Sequence, residues 1–218
     1  MTAADSSRAI RGLVSGRRAA VVIHEWQRVT VDPSTATVPG LAEHARSRGA
    51  TDRINAITTA ARAADMPVVW STIEPRRDRI GTSGGCLVLA GLINSTLAAG
   101  TELAELHPDL VTMESDIWIR RVHGLTPFHH TELESYLRQL RVETVIFGGV
   151  STNIGVIGGV IEAVNRGFSV VVPEDCIAGS SPEVHDFLVA HQLRLVATIT
   201  DSASVVAALT AISTGVPA

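Results

Sequence analysis

The chain has 218 residues, of which 45% are hydrophobic, and its formal net charge is −4. This length and apolar content predict a single folded domain with a full core. A slightly acidic chain without a basic patch is a poor partner for nucleic acid. No apolar run approaches the ~20 residues of a membrane span, and the N-terminus lacks an apolar signal-peptide core. We therefore expect a cytoplasmic protein that binds neither nucleic acid nor membrane.

Cysteine usage agrees with a reducing compartment. The two cysteines, Cys86 and Cys176, lie far apart in the sequence and predict no disulfide framework. The G-x-G-x-x-G fingerprint of dinucleotide binding does not follow the first predicted strand. We therefore expect no cofactor.

The first part of the chain predicts an arm followed by a strand. Residues 1–18 are polar, small and basic, and we interpret them as a poorly packed arm before one domain of residues 19–218. The run A-A-V-V-I-H of residues 19–24 is typical of a central parallel strand buried on both faces. Residues 29–49 form a Pro-, Thr- and Ala-rich connection that we expect to cover the site.

Strand and helix patterns then alternate to the end of the chain. The alternation of six strands with helices predicts an α/β fold with a doubly wound, six-stranded parallel sheet. The later predicted strands span residues 67–72, 116–121, 142–148, 168–172 and 193–198. Helices are predicted over residues 51–64, weakly over 86–98, and from Leu133, Ser151, Ser181 and Asp201.

Residues 148–178 organise the rest of the chain. Gly148 and Gly149 end a buried strand, and Ser151, Thr152 and Asn153 are residue types that begin helices. The crevice at the carboxyl end of such a strand is the usual ligand site of a βαβ unit. The sequence therefore predicts a site around residues 150–156.

This segment also carries a family resemblance. The run G-V-S-T-N-I-G-V of residues 149–156 resembles the G-V-S-T-N-x-C-V signature of the isochorismatase-like (cysteine hydrolase) superfamily. The position of the family's nucleophilic Cys is Gly155 in this chain. The H-E-W-Q run of residues 24–27 is similar to the family's V-D-M-Q or V-E-x-Q, which places Glu25 where the catalytic carboxylate stands.

A third stretch resembles the family segment that carries its catalytic Lys. The runs T-P-F (126–128) and T-E-L (131–133) are similar to the S-A-F and T-x-L of K-x-x-Y-S-A-F-x-x-T-x-L. Counted without a gap, the Lys position holds Val122, whereas one residue of slip offers Arg121 or His123. The resemblance spans about residues 19–212.

The resemblance implies several structural properties. It implies a three-layer Rossmann-like sandwich, a hydrolase acting on a small molecule, and homo-oligomerisation. It also implies a cis peptide between Val150 and Ser151. The Asp-His-His metal pattern of nicotinamidases has no match in the loop after the second strand, and adjacent His129 and His130 make poor ligand geometry. We therefore predict no metal site.

The missing nucleophile decides the expected chemistry. Covalent amide cleavage needs an activated nucleophile, and Gly155 supplies none. True isochorismatases of the superfamily cleave a vinyl ether after a carboxylic acid protonates its methylene carbon. Glu25 after an apolar strand is suited to that role, because a dry pocket raises the pKa of a carboxyl.

The predicted catalytic residues are Glu25 and Arg121, with Arg121 gripping a substrate carboxylate in a bidentate manner. The helix start at residues 151–153 presents N–H groups that suit an anion. Three alternatives stay open: a structural carboxylate at Glu25, a catalytically inactive binding or scaffold protein, and an amidase with another nucleophile. The predicted substrate contacts are His24, Gln27, His123, Phe128, Ser151, Thr152, Asn153 and Gly155.

Overall fold

The computed structural model describes residues 10–214, and a parallel sheet forms its centre. Six strands follow the order β3-β2-β1-β4-β5-β7, and β6 pairs with β4. This order confirms the predicted doubly wound sheet, to which β6 adds a seventh, two-residue strand. The strands are β1 (Ala19–His24), β2 (Val68–Ile73), β3 (Ile117–Arg121), β4 (Thr144–Val150), β5 (Ser169–Pro173), β6 (Ile177–Ala178) and β7 (Thr198–Thr200).

Helices cover both faces of the sheet. A π-helical turn over Thr152–Val156 runs directly into α6, and another over Val189–Leu193 joins α7 to α8. The helices are α1 (Arg28–Val31), α2 (Pro39–Ser47), α3 (Ala50–Ala63), α4 (Leu87–Asn94), α5 (Leu133–Gln139), α6 (Ile157–Asn165), α7 (Pro182–Leu188), α8 (Arg194–Val196) and α9 (Ser202–Thr214).

Strand β1 contributes to a hydrophobic core on each face of the sheet. Its side chains alternate between the faces of the sheet, so Val21 and Ile23 join a core with α2, α3 and α9. Val22 joins the opposite core with α5 and α6. Every residue of β1 is buried, as predicted for a central parallel strand. The three-layer sandwich is confirmed.

The predicted strand over residues 193–198 is wrong in position. Val189, Leu193 and Ala197 are all buried in one core, and a spacing of four residues is the repeat of a helical face. The segment is therefore helical through Val196, and the strand begins only at Thr198.

Part of the predicted arm is packed: within residues 10–18, Gly12 and Leu13 are buried while residues 11 and 14–17 are exposed, and residues 1–9 lie outside the described residues. Leu13 is 1% exposed and belongs to the core beneath α3 and α9. The carbonyl of Gly12 accepts a hydrogen bond from Thr144 Oγ1 at 2.7 Å.

The sheet brings the predicted site residues to one edge. His24 pairs in register with Gly149 of β4 and with Ser71 of β2, while Ile73 pairs with Arg121 of β3. Since parallel strands end at the same edge, Glu25, Arg121 and the turn after β4 lie near one another.

Candidate active site

A pocket of about 460 Å³ opens at this edge of the sheet. Its walls are mostly apolar, and Glu25 contributes its one ionisable side chain among the described residues. The connection over residues 29–49, predicted to cover the site, contributes five residues to the pocket lining, all between Val29 and Leu41. The main lining residues are Glu25, Val29, Thr30, Thr37, Val38, Leu41, Ile73, Leu87, Val88, Leu92, Leu97, Leu125, Val150, Ser151, Asn153, Ile154, Gly155 and Ser180.

The backbone holds Glu25 in an unusual conformation. Its φ of 50° lies in the left-handed region of backbone conformation, which residues other than glycine adopt rarely and at an energetic cost. The Glu25 N–H donates to Ser71 O at 2.7 Å, and its carbonyl accepts from Thr30 Oγ1 at 2.5 Å. These bonds fix the turn after β1 and direct the carboxyl into the site. A fifth of the side chain, 20%, stays exposed.

Arg121 forms an ion pair with that carboxyl. Its Nη2 donates to Glu25 Oε1, its Nη1 donates to Gly124 O at 2.8 Å, and its side chain is 1% exposed. Burial raises the pKa of Glu25, and the Arg121 cation opposes this rise without cancelling it. Arg121, predicted to grip a substrate carboxylate, does not line the pocket, and its two Nη atoms donate to Glu25 and Gly124. Arg121 instead positions Glu25.

His24 fills the space where a side chain at position 155 would lie. A Cβ built on Gly155 would be 2.5 Å from both Cδ2 and Nε2 of His24 and 3.0 Å from the Val150 carbonyl oxygen. The helix start can therefore approach β1 only because residue 155 has no side chain.

The His24 ring is buried and without hydrogen-bond partners among the described residues. It is 0% exposed, and its Nε2 lies 3.6 Å from Glu25 Oε1. Burial lowers the pKa of His24 well below its ordinary value, and the Arg121 cation lowers it further. The Leu125 backbone opposes this shift but does not meet hydrogen-bond geometry. The ring is therefore neutral at pH 7, and it faces Glu25 without a formal charge.

The turn after β4 places two of its three predicted polar residues on the pocket. Ser151 and Asn153 line it. Thr152 does not: it is buried, and its Oγ1 lies 2.9 Å from Nδ1 of His185. The peptide between Val150 and Ser151 is cis, as the resemblance implied.

Three other predicted substrate contacts lie elsewhere. The Gln27 amide is buried and bonds to the backbone of Ile73 and Ala104, at 2.7–3.1 Å. Phe128 is buried against Phe168, with ring centroids 6.4 Å apart. His123 lines a separate hollow. Gln27, Phe128 and His123, predicted as substrate contacts, therefore do not line the Glu25 pocket.

Neither cysteine reaches the pocket. Cys86 is exposed before α4, and Cys176 is buried with the pKa of its thiol raised well above its ordinary value by that burial. Neither belongs to the pocket lining. Within residues 10–214, no group of three or more His, Cys, Asp or Glu side chains is arranged to hold a metal ion.

Sequence reasoning missed helix α4 as a wall of the pocket. Leu87, Val88 and Leu92 line it, although Leu87 is 90% exposed. The available signal was the run L-V-L-A-G-L-I after a Gly-rich loop, which is too apolar for a solvated surface helix.

The geometry and the sequence together identify the family. The family model of the isochorismatase domain matches residues 19–204. The chain belongs to the isochorismatase family. Within residues 10–214, no helix is both long enough and apolar enough to cross a membrane.

Curated relatives match this isochorismatase-family chain over part of their length. An uncharacterised isochorismatase family protein of Escherichia coli is 38% identical over 87 residues, which cover 39% of this chain and 45% of that protein. N-carbamoylsarcosine amidase of an Arthrobacter species is 27% identical over 133 residues, 60% of this chain and 50% of that protein. The matches thus span about half the length of these relatives or less.

Solved structures match nearly the whole fold. A cysteine hydrolase from Pseudomonas syringae pv. phaseolicola has a TM-score of 0.78 at 23% identity, over 89% of this chain and 93% of that one. An isochorismatase family protein from Desulfovibrio vulgaris has a TM-score of 0.75 at 21% identity, over 86% and 96%. At these identities the likeness establishes the fold.

Proposed function

We propose that this chain is a hydrolase that works without a cysteine nucleophile and cleaves a small anionic vinyl ether by acid catalysis. The observation that carries the proposal is the position of Glu25. It supplies the ionisable side chain in a pocket of about 460 Å³, beside a helix start with Gly155 at the position that the resemblance assigns to the family's nucleophile. Burial raises the pKa of its carboxyl, as a general acid requires.

The proposed reaction begins with Glu25 in its protonated form. The acid transfers its proton to the methylene carbon of the vinyl ether, which leaves an oxocarbenium ion and a Glu25 carboxylate. Water adds to the cation and returns a proton to Glu25. The resulting hemiketal then breaks its C–O bond, releasing an alcohol and a keto acid.

Surrounding residues would assist these steps. Arg121 beside Glu25 stabilises the carboxylate formed by proton transfer, and the backbone fixes the carboxyl by its bonds to Ser71 and Thr30. Ser151 and Asn153 stand at the positive end of the helix that follows, which suits a substrate carboxylate.

Glu25→Gln tests this function. We expect turnover of isochorismate, or of a simpler enol ether, to be lost, because the amide cannot donate a carboxylic proton. The measurement is release of the keto acid, with circular dichroism and thermal unfolding to show that the variant is folded. Wild-type activity should fall as pH rises through the pKa of Glu25. Unchanged turnover in folded Glu25→Gln would exclude the acid role.

A second candidate is a binding protein without catalysis. The Glu25–Arg121 ion pair favours it, since an Arg partner stabilises the ionised carboxylate that cannot donate a proton. In this case the pocket would bind a small anionic metabolite and leave it unchanged. Saturable binding of an enol ether with no keto acid released would support this candidate over the hydrolase.

A further inference from the structure

A second hollow, of about 210 Å³, lies at the end of β3 and is separate from the Glu25 pocket. Arg121 connects the two, because it lines the hollow while its Nη2 pairs with Glu25. No carboxylate within residues 10–214 lines this hollow. Its ionisable lining consists of two guanidinium groups and three imidazoles: Arg120, Arg121, His123, His129 and His130.

The three imidazoles are held as a cluster. The ring centroids of His123 and His129 are 5.7 Å apart, and those of His129 and His130 are 4.4 Å apart. A Cβ on Gly124 would lie 2.7 Å from Cδ2 of His129, so the glycine leaves the space that this ring occupies. The backbone of the 123–130 loop therefore makes room for the cluster.

The protonation pattern of His123 gives the hollow a donor. Its Nδ1 accepts a hydrogen bond from the Ser83 N–H at 3.4 Å. A neutral imidazole that accepts at Nδ1 carries its hydrogen on Nε2. His123 thus presents an N–H donor even when it is uncharged.

Arg121 brings a buried positive charge to the same hollow. Its side chain is 1% exposed, and it lines the hollow beside Arg120 and the imidazoles. Its Nε is buried and has no hydrogen-bond partner among the described residues, so Arg121 attracts an anion in the hollow by its charge. Arg120, by contrast, is 61% exposed, and its Nε lies 3.4 Å from Glu74 Oε1.

We propose that this hollow binds a small tetrahedral oxyanion, of the phosphate or sulfate class. The donors are Arg120 and the imidazoles, which together can satisfy several oxygens of one anion, and the Arg121 cation adds attraction. The nearby carboxylates offset this charge only in part: Glu25 faces Arg121, Glu74 faces Arg120, and Glu162 acts on His129. The site is distinct from the pocket of the proposed function.

The histidines make the binding depend on pH. Partial burial lowers the pKa of His129, and the neighbouring His130 and His123 lower it further, because protonated rings repel one another. An anion beside the His129 ring offsets that repulsion and favours protonation of His129. Binding of an anion whose own charge is constant is therefore tighter at low pH.

The test is isothermal titration of the whole protein with sulfate, which stays a dianion, at constant ionic strength. We expect one site per chain, bound roughly tenfold more tightly at about pH 6 than at about pH 8. Arg120→Ala and His129→Ala should each weaken binding by roughly tenfold. Arg77→Ala is the matched control, because it removes an exposed guanidinium that does not line the hollow, and it should leave the affinity unchanged.

Two results would overturn the proposal. One is the absence of saturable binding at the lower pH. The other is an equal loss of affinity in Arg77→Ala and Arg120→Ala, which would show general attraction to surface charge. Titration with glycerol phosphate then identifies the kind of oxyanion. If glycerol phosphate binds as tightly as sulfate, the site accepts a terminal phosphoryl group. If only sulfate binds, the site accepts the free ion.

Discussion

The space beside Gly155 is occupied by the His24 ring, so any side chain at position 155 must displace that ring or the helix start. Gly155 has a backbone conformation open to other residues, because its φ is not in the left-handed region. The obstacle to substitution is therefore steric. This makes position 155 a direct probe of how tightly β1 and the turn after β4 are packed.

Gly155→Ala should lower the free energy of unfolding by about 1–3 kcal/mol, because its Cβ would meet the His24 ring at 2.5 Å. Chemical denaturation measures the change. Gly91→Ala is the matched control: a Cβ there meets nothing within 4 Å, and alanine favours the helix. In a His24→Ala background most of the penalty of Gly155→Ala should disappear, and a double-mutant cycle without coupling would contradict the steric explanation.

At the scale of elements, Gln27 joins three segments that surround the pocket. From the turn after β1, its Oε1 accepts from Ile73 N at 2.8 Å, while its Nε2 donates to Ile73 O at 3.1 Å and to Ala104 O at 2.7 Å. The side chain thus ties the end of β2 and the 3₁₀ turn over Glu102–Ala104 to the base of the site.

Gln27→Met should destabilise the protein by about 3 kcal/mol, because it leaves one buried N–H and two carbonyls without this partner. Urea unfolding gives the value. Gln139→Met serves as control, since Gln139 is exposed on α5 and its replacement should change stability by less than about 0.5 kcal/mol. Equal effects of the two substitutions would show that the Gln27 bonds contribute nothing.

The elements that sequence reasoning predicted are those with a clear period. The apolar run of β1 and the helical repeat of α3 were readable because burial imposes their patterns. The run L-R-L-V-A-T of residues 193–198 led to a wrong strand prediction, because a short apolar run does not distinguish the end of a helix from a strand. Strand β6 has only two residues, too few to carry a period.

The site was predictable as far as strand register determines it. Glu25 and Gly155 share an edge because parallel strands end together. The choice among Arg121, Val122 and His123 was not predictable, because β3 ends at Arg121 and the alternation of side chains ends with it. The filling of the space at 155 by His24 depends on a side-chain rotamer, for which the sequence carries no signal.

At the scale of the whole molecule, buried histidines connect stability to pH. Burial lowers the pKa values of His24 and His44, and it lowers that of His185 to about 4. In the unfolded chain a histidine binds its proton near pH 6.5. Folding therefore opposes protonation of these histidines. Their contribution to the free energy of unfolding is fully present above about pH 6.5, and it is lost as pH decreases toward their pKa values in the folded protein.

His185→Asn removes the group whose pKa burial lowers to about 4. Asparagine retains a polar group near Thr152 but does not titrate. As pH is lowered from about 6.5 to about 5, the free energy of unfolding should decrease in both proteins. The decrease should be smaller in the variant, by about 1 kcal/mol per pH unit. Denaturation at several pH values measures the two slopes. The exposed His191→Asn is the control, and a slope unchanged in His185→Asn would exclude this contribution.

The contact between Gly155 and His24 also constrains how such a chain can change over generations. A cysteine arising first at position 155 would meet the imidazole and produce a poorly folded intermediate. Residue 24 must become smaller before a thiol can be accommodated, and in the opposite direction the thiol must be lost before an imidazole can enter. Exchange of glycine for a larger residue at position 155 is thus an ordered path of at least two substitutions, and the order reverses with its direction.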